Sequence, residues 1–341
     1  MPERFVLGAE QRRERVDKVL ARLLSPRSRA TVQRWIAEGK VCIDGVPCRA
    51  RQMVAAGAVL EVEIGRELTT QAEPDASVPF GVLFEDAHLI VVDKPAGVVV
   101  HPARGHRTGT LVSGLIARPG FMVAPADERD RAGHLRPGIV HRIDKDTSGV
   151  LVVAKDAITR EGLKRQLAEH SMQRVYQALT RGVPREGRIE TSYGRDPRSR
   201  LRFTSRLEQG KRAVTNIALL ETFGARRAAR VECRLETGRT HQIRVHLAEQ
   251  AGTPLLADAL YAGQARRAAG PMPAADPAAE AALAGAELGL GRHALHARLL
   301  GFEHPITRQE LVFESPLPAD FAAALESLRR LGSTPAALRS P

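Results

Sequence analysis

From Arg66 to Pro79 the chain turns polar, carries Pro74 and Pro79 and loses all periodicity. Such a stretch cannot run through a hydrophobic interior, so residues 67–79 read as a linker and the chain must build two separate cores. The length agrees, because 341 residues exceed what one core usually serves. The expectation is a small module over residues 1–66, a larger domain over 80–330 and a tail over 331–341. No apolar run approaches the roughly 18 residues of a membrane span. The segment Met1 to Arg15 lacks the apolar centre of a secretion signal, so no membrane association is expected and the cytoplasm is the expected location. Cys42, Cys48 and Cys233 form no CxxC pair and read as free thiols.

In the N-terminal part, Val16, Val19, Leu20, Leu23 and Leu24 recur at helical spacing over Arg15–Leu24, and Pro26 stops the run. Ser28 reads as the cap of a second helix through Glu38, with Val32, Trp35 and Ile36 inward and Gly39 ending it. Val41–Ile43, the turn Asp44-Gly45 and Val59–Ile64 then read as short strands. Arg27, Arg29, Arg34, Lys40, Arg49 and Arg51 fall on or near the loops and the exposed helix side.

Charge narrows the function. Lys and Arg total 51 against 39 Asp and Glu, a formal +12, which suits contact with polyanions. Aromatic residues are only 4%, too few for a surface that stacks successive bases. Folded RNA or a duplex, recognised by shape, is the better partner. The order R-x-D-K-x-L followed by S-R-x-x-x-Q-R-W-I-x-x-G-K-V-x-I-D-G resembles the alpha-L RNA-binding module of a small-subunit ribosomal protein. That resemblance implies RNA contacts by Arg15, Lys18, Arg27, Arg29, Arg34 and Lys40.

Beyond the linker, apolar runs of strand length (Leu89–Val92, Val150–Val153, Val231–Leu235) alternate with helical stretches such as Thr159–Glu169, the mark of an α+β or α/β domain. Gln264–Gly291, rich in Ala, Gly and Pro, reads as a surface insertion or mobile loop. The most reactive stretch lies between a strand entering at Ile139-Val140 and one leaving at Val150, where a polar loop holds His141, Arg142, Asp144, Lys145, Asp146, Thr147 and Ser148. His141, Asp144 and Ser148 would also suit a hydrolase, although the G-x-S-x-G elbow is missing. A metal held by Asp144 and Asp146 would be opposed by Arg142 and Lys145. An ion-paired structural loop is the third option.

The run H-R-I-D-K-D-T-S-G over His141–Gly149 resembles the signature of the RluA family of pseudouridine synthases. The resemblance extends in order through Val91–Gly97 with His101-Pro102, Tyr176–Leu179, Gly210–Thr215, Thr237–His246, Leu255–Asp258 with Leu260-Tyr261, and Leu295–Ala297. It covers roughly Phe80–Phe321. With the alpha-L module ahead of it, the chain looks like the two-domain members of the D type, which act on large-subunit ribosomal RNA. Mild departures are Ile143 for the commoner Leu and Asn216 for a larger polar or aromatic residue.

The resemblance implies an α+β pseudouridine synthase fold. A central mixed, largely antiparallel sheet would be flanked by helices and loops, behind a small α/β RNA-binding module. It also implies roles. Asp144 would act on the nucleoside, as a nucleophile or by assisting elimination, with both routes open. Arg244, early in a helix expected over Thr240–Gln250 with Thr240 as cap, would keep that carboxylate ionised and oriented. Tyr176 would lie against the uracil and serve or support loss of the C5 proton. Arg142 would fill the space left by the flipped nucleotide. His141, Thr147, Arg239, Thr240, His241 and Gln242 would line the pocket or hold phosphates near the helix N-terminus. Neither metal nor cofactor is expected, since no cysteine or carboxylate completes a zinc site around His241/His246 or His293/His296. The partner would be large-subunit ribosomal RNA or an assembling subunit, met by a monomer. Two other classes compete, an idle ribosome-assembly factor and a metal-dependent RNA hydrolase.

Overall fold

A computed structural model describes residues 2–24, 29–63, 72–102, 108–121, 136–263 and 276–336, and the side chains of 29–31 and 34 lie outside that description. Two compact units emerge. The first runs through Glu73, and the second starts at Pro74 and omits a short stretch ending at Pro137. The boundary therefore falls inside the expected linker, and Val78 at its far end packs into the core of the second unit.

The first unit contains β1 (Glu3–Val6), β2 (Glu14–Arg15), α1 (Val16–Leu23), α2 (Arg29–Ala37), β3 (Val41–Ile43), β4 (Val46–Pro47), β5 (Met53–Val54) and β6 (Val59–Val62). Both expected helices form, and Val16, Val19, Leu20, Val32, Trp35 and Ile36 meet in one core. Ser28, the expected cap, lies outside the described residues, as does Arg27. Lys18 is exposed on α1. Arg15 is a correction: its fork grips Asp17 at 3.1 and 2.9 Å, and Asp17 is fully buried. Asp17 also accepts from Gln33, so Arg15 shares in satisfying that buried carboxylate, and part of its charge is spent inside the module. Lys40 pairs with Glu38 at 2.6 Å near the surface, a contact too weak to withdraw it from phosphates.

The second unit contains β7 (Gly81–Glu85), β8 (Leu89–Lys94), α3 (Leu111–Ile116), β9 (Ser148–Ala154), α4 (Ala157–Ala168), β10 (Gln173–Arg181), β11 (Gly187–Arg195), β12 (Phe203–Thr204), β13 (Lys211–Phe223), β14 (Ala228–Leu235), α5 (Gln242–Val245), a π turn (His246–Gln250), α6 (Pro277–Leu290), β15 (Leu295–Glu303), β16 (Glu310–Glu314), α7 (Ala319–Arg329) and β17 (Ser333–Pro335). They build one mixed sheet, ordered β12-β11-β13-β14-β10-β15-β9-β8-β7, with β16 on β15 and β17 on β13. Among the described residues only the β15–β9 pairing is parallel; the other ladders are antiparallel, as expected. At that junction Gly149 has φ +117, and a Cβ there would stand 2.1 Å from the Ala297 carbonyl oxygen. Gly149→Ala should therefore cost about 3 kcal/mol or more, measured as a lower urea midpoint; an unchanged midpoint would contradict this packing.

Three expectations are corrected. Ile139-Val140 is no strand, since Ile139 makes only an isolated bridge to Val153. The low-complexity stretch is half helix: Asp276 accepts from the Ala278 and Ala279 N–H groups, and Ala279, Leu283, Ala286 and Leu290 pack on Phe321, Leu325 and Leu328 of α7. Alanine is the strongest helix former, so a composition that suggests a loop builds α6 instead. Residues 264–275 lie outside the described set. Finally, the tail is not free, because Ser333–Pro335 pair with Glu221–Phe223.

Candidate active site

The loop into β9 is held residue by residue. The Lys94 Nζ, itself fully buried, donates to the Lys145 carbonyl at 2.9 Å, and the Gly97 N–H donates to the same oxygen at 2.9 Å. Arg292 donates to the Asp146 carbonyl at 2.9 Å while its fork holds Asp320 at 2.6 and 3.1 Å. The Thr147 hydroxyl is hydrogen-bonded to His293 at 2.8 Å, and the Ser148 hydroxyl to His296 at 3.0 Å. Four consecutive residues after Asp144 are thus pinned by segments far away in sequence.

Asp144 itself faces a cleft of about 540 Å³, within the roughly 300–1,000 Å³ usual for small-molecule sites. Arg142, Tyr176, Arg239, His241 and Arg244 line the same cleft. Arg244 reaches Asp144 Oδ2 with Nη1 at 3.1 Å, while its Nε and Nη2 grip Asp258 at 2.8 and 2.9 Å. Asp258 is in turn fixed by the Leu260 N–H at 3.1 Å. One guanidinium bridges two carboxylates, and the sheltered one aims it at the accessible one.

Burial would raise the Asp144 pKa, yet the nearby His241, Arg244 and His293 bring it below the ordinary carboxylate value. Burial lowers the pKa of both histidines, His293 to about 4, so Arg244 is the cation that acts at neutral pH. Because the folded-state value is depressed, the carboxylate and the stability it adds persist above the unfolded pKa and are lost as pH falls through the folded one. A reaction needing ionised Asp144 should show no acid limb from this group down to about pH 5; an acid limb near pH 6 that vanishes in Asp144→Asn would contradict this.

Tyr176 is aimed by an irregularity in the β10–β15 register between Val175 and Tyr176, a common way to redirect a side chain near a site. Burial pushes its phenol up to about 12, with Arg174 opposing and Asp144 adding to the rise. It is therefore protonated at neutral pH and suited to packing or donating rather than taking a proton.

The expected helix over Thr240–Gln250 starts later. His241 sits at φ 59 ahead of Gln242 with no side-chain cap, and the helix passes into the π turn. Thr240 does not line the cleft; its carbonyl accepts from the Tyr193 hydroxyl at 2.6 Å. Gln242 lines the cleft but is no RNA ligand, because its amide is fully occupied by Thr237, Arg239, Val214 and Thr215. His141 likewise accepts the Val152 N–H at 3.1 Å, and the Thr147 hydroxyl is taken by His293. These three build the walls. The cations at the surface of the cleft are Arg142 and Arg239, both exposed.

His241 stands 3.9 Å from Asp144 Oδ2 through Nε2, and its Nδ1 lies 2.8 Å from the Tyr261 hydroxyl. That oxygen already accepts the Phe203 N–H at 3.0 Å. The arrangement favours donation by the tyrosine to Nδ1 and leaves the imidazole proton on Nε2, facing Asp144. Asp258, Arg292, His293 and Lys94 are the functional positions that sequence reading did not assign. Asp258 and Lys94 lie inside matched motifs, but nothing in the motifs names their partners.

An ionised carboxylate at the floor of a cleft with arginines at its mouth suits an enzyme with a polyanionic substrate. A family model described as RNA pseudouridylate synthase matches residues 88–249, and an S4 domain model matches residues 14–60. The chain is 40% identical to an uncharacterized RNA pseudouridine synthase of Bacillus subtilis, over 95% of this chain and 97% of that one. It is 41% identical to the ribosomal large subunit pseudouridine synthase D of Neisseria meningitidis serogroup B, over 92% of this chain and 79% of that one. The solved structure of human RNA pseudouridylate synthase domain containing 4 aligns with TM-score 0.53 at 26% identity, over 73% of this chain and 93% of that one. The chain belongs to the RNA pseudouridine synthase family, whose members are isomerases, and carries an S4 domain ahead of the catalytic fold.

Proposed function

We propose that this protein converts uridines of large-subunit ribosomal RNA to pseudouridine, with Asp144 as the reacting carboxylate. The observation that carries this reading is the Asp144–Arg244–Asp258 bridge on the floor of the cleft. The named relatives supply the substrate class.

The target uridine leaves its stack at a cost of a few kcal/mol, and Arg142 at the rim occupies the gap while Arg239 meets phosphate. The ring packs on Tyr176. Asp144, kept charged by Arg244, assists breakage of the C1′–N1 bond, whose electron pair stays with the ring. The ring then turns, C5 bonds to C1′, the C5 proton leaves and N1 gains one, so the sum is an isomerisation. Action as a monomer is part of this proposal. Among the described residues no helix is long and apolar enough to cross a membrane, and action on ribosomal RNA fits the cytoplasm.

The test is tritium release from C5-labelled uridine in ribosomal RNA, with chelator present and Asp144→Asn alongside. Release by the wild type alone supports the reading. Binding without release, on free RNA and on isolated subunits, would favour an idle assembly factor. Deleting residues 1–66 should weaken RNA binding and choice of site more than the chemical step, with a larger rise in KM than fall in kcat. Equal rates on full ribosomal RNA with and without the module would count against that role.

A further inference from the structure

Arg174 is the charged group of the cleft that the reading above leaves unused. It lies two residues before Tyr176 on β10, and both side chains line the cleft. The residue is only 6% exposed. Its Nη2 donates to the carbonyls of Glu236 at 2.7 Å and Leu235 at 3.4 Å. Its Nε–H is buried and meets no acceptor among the described residues. Leaving a donor of a cation unmet costs free energy, and such positions in native proteins call for an explanation.

The neighbouring backbone makes room for this arrangement. A Cβ at Gly238 would stand 2.8 Å from Arg174 Nη1. Gly238 does not have the positive φ that demands glycine elsewhere. An added methyl there would disturb the guanidinium and not the backbone conformation.

We propose that Arg174 is a substrate-contacting group, its guanidinium donating to the O4 carbonyl of the flipped uracil. This rests on the isomerase reading. A carbonyl at C4 accepts that hydrogen bond, whereas the amino group of cytosine would set donor against donor, so the contact selects uridine. When C1′–N1 breaks, the pair retained by the ring spreads onto O2 and O4, and a cation beside O4 stabilises it. Turning the ring about its N3–C6 axis exchanges N1 with C5 and C2 with C4. O2 therefore arrives where O4 was, and the guanidinium keeps an acceptor through the rotation. Arg174 also opposes the rise in the Tyr176 pKa, consistent with a guanidinium beside the phenol.

The experiment pairs a protein change with a substrate atom. Large-subunit RNA is transcribed with ordinary uridine and a trace of either 5-tritiated uridine or 5-tritiated 4-thiouridine, whose sulfur is a weaker acceptor. The wild type should release tritium about tenfold more slowly from the thio analogue, the size expected for a hydrogen bond to a charged donor. Arg174→Lys should lose about tenfold on uridine, in kcat, and release from both tracers at rates within about twofold. Gly238→Ala, which displaces the guanidinium without removing it, should behave alike and serves if Arg174→Lys does not fold. Undiminished discrimination in the folded variants overturns the O4 contact alone. No release from uridine by the wild type overturns the isomerase reading, and this inference with it.

Discussion

Asp144→Asn should give a folded protein that still binds ribosomal RNA and releases tritium at a rate lower by a factor on the order of 10⁴ or more, the scale seen when a reacting group is removed. The fold should survive because Arg244 keeps both bonds to Asp258, and the change leaves a neutral amide of nearly the same shape beside Nη1. Stability should move by no more than about 1–2 kcal/mol in a urea titration. Residual turnover within about tenfold of wild type would sink the assignment of Asp144 as the reacting group.

Asp258→Asn should reach the chemistry from behind. Asp258 is 2% exposed and is the tighter of the two partners of Arg244 by distance. Taking away its charge leaves a buried guanidinium with one carboxylate where there were two, which typically costs about 3–5 kcal/mol. Arg244 then loses the fork that fixes its direction, and kcat should fall about 100-fold, as misplacement by roughly 1 Å can do. KM should move little, because Asp258 is shielded from the RNA. A variant with wild-type kcat and normal stability would mean that Arg244 needs no second anchor.

Much of this was legible in the sequence, and the parts that were not share a cause. The break near residue 66, both helices of the first unit and the strands around Leu89, Val150 and Val231 follow from periodicity alone. Asp144, Tyr176 and Arg244 are carried by ordered motifs, and they do converge. What failed was anything depending on partners distant in the chain. Gln242, His141 and Thr147 read as polar groups open to RNA, yet each is consumed by a partner on another strand or loop. Arg15 read as an RNA contact, but the buried carboxylate two residues away claims part of its charge. Composition misled over α6, where alanine meant helix, and over the tail, where the pairing with β13 lies over a hundred residues away. At His241 the left-handed backbone displaced the expected cap, a local conformation that no periodicity signals.

The pinning of the loop after Asp144 by Arg292, His293 and His296, with Asp320 holding Arg292, fixes an order of events during synthesis. Among the described residues, the hydrophobic core of the S4 unit lies between Leu7 and Val62. The carboxylate loop has its last fastening only when Asp320 has been added. At roughly 5–20 residues per second the nascent chain spends on the order of ten seconds or more in that interval. Throughout it the chain should hold RNA without modifying it. A chain stopped after Gly291 should keep a folded S4 unit by NMR and release no tritium, so activity is the last property this sequence acquires as it is made.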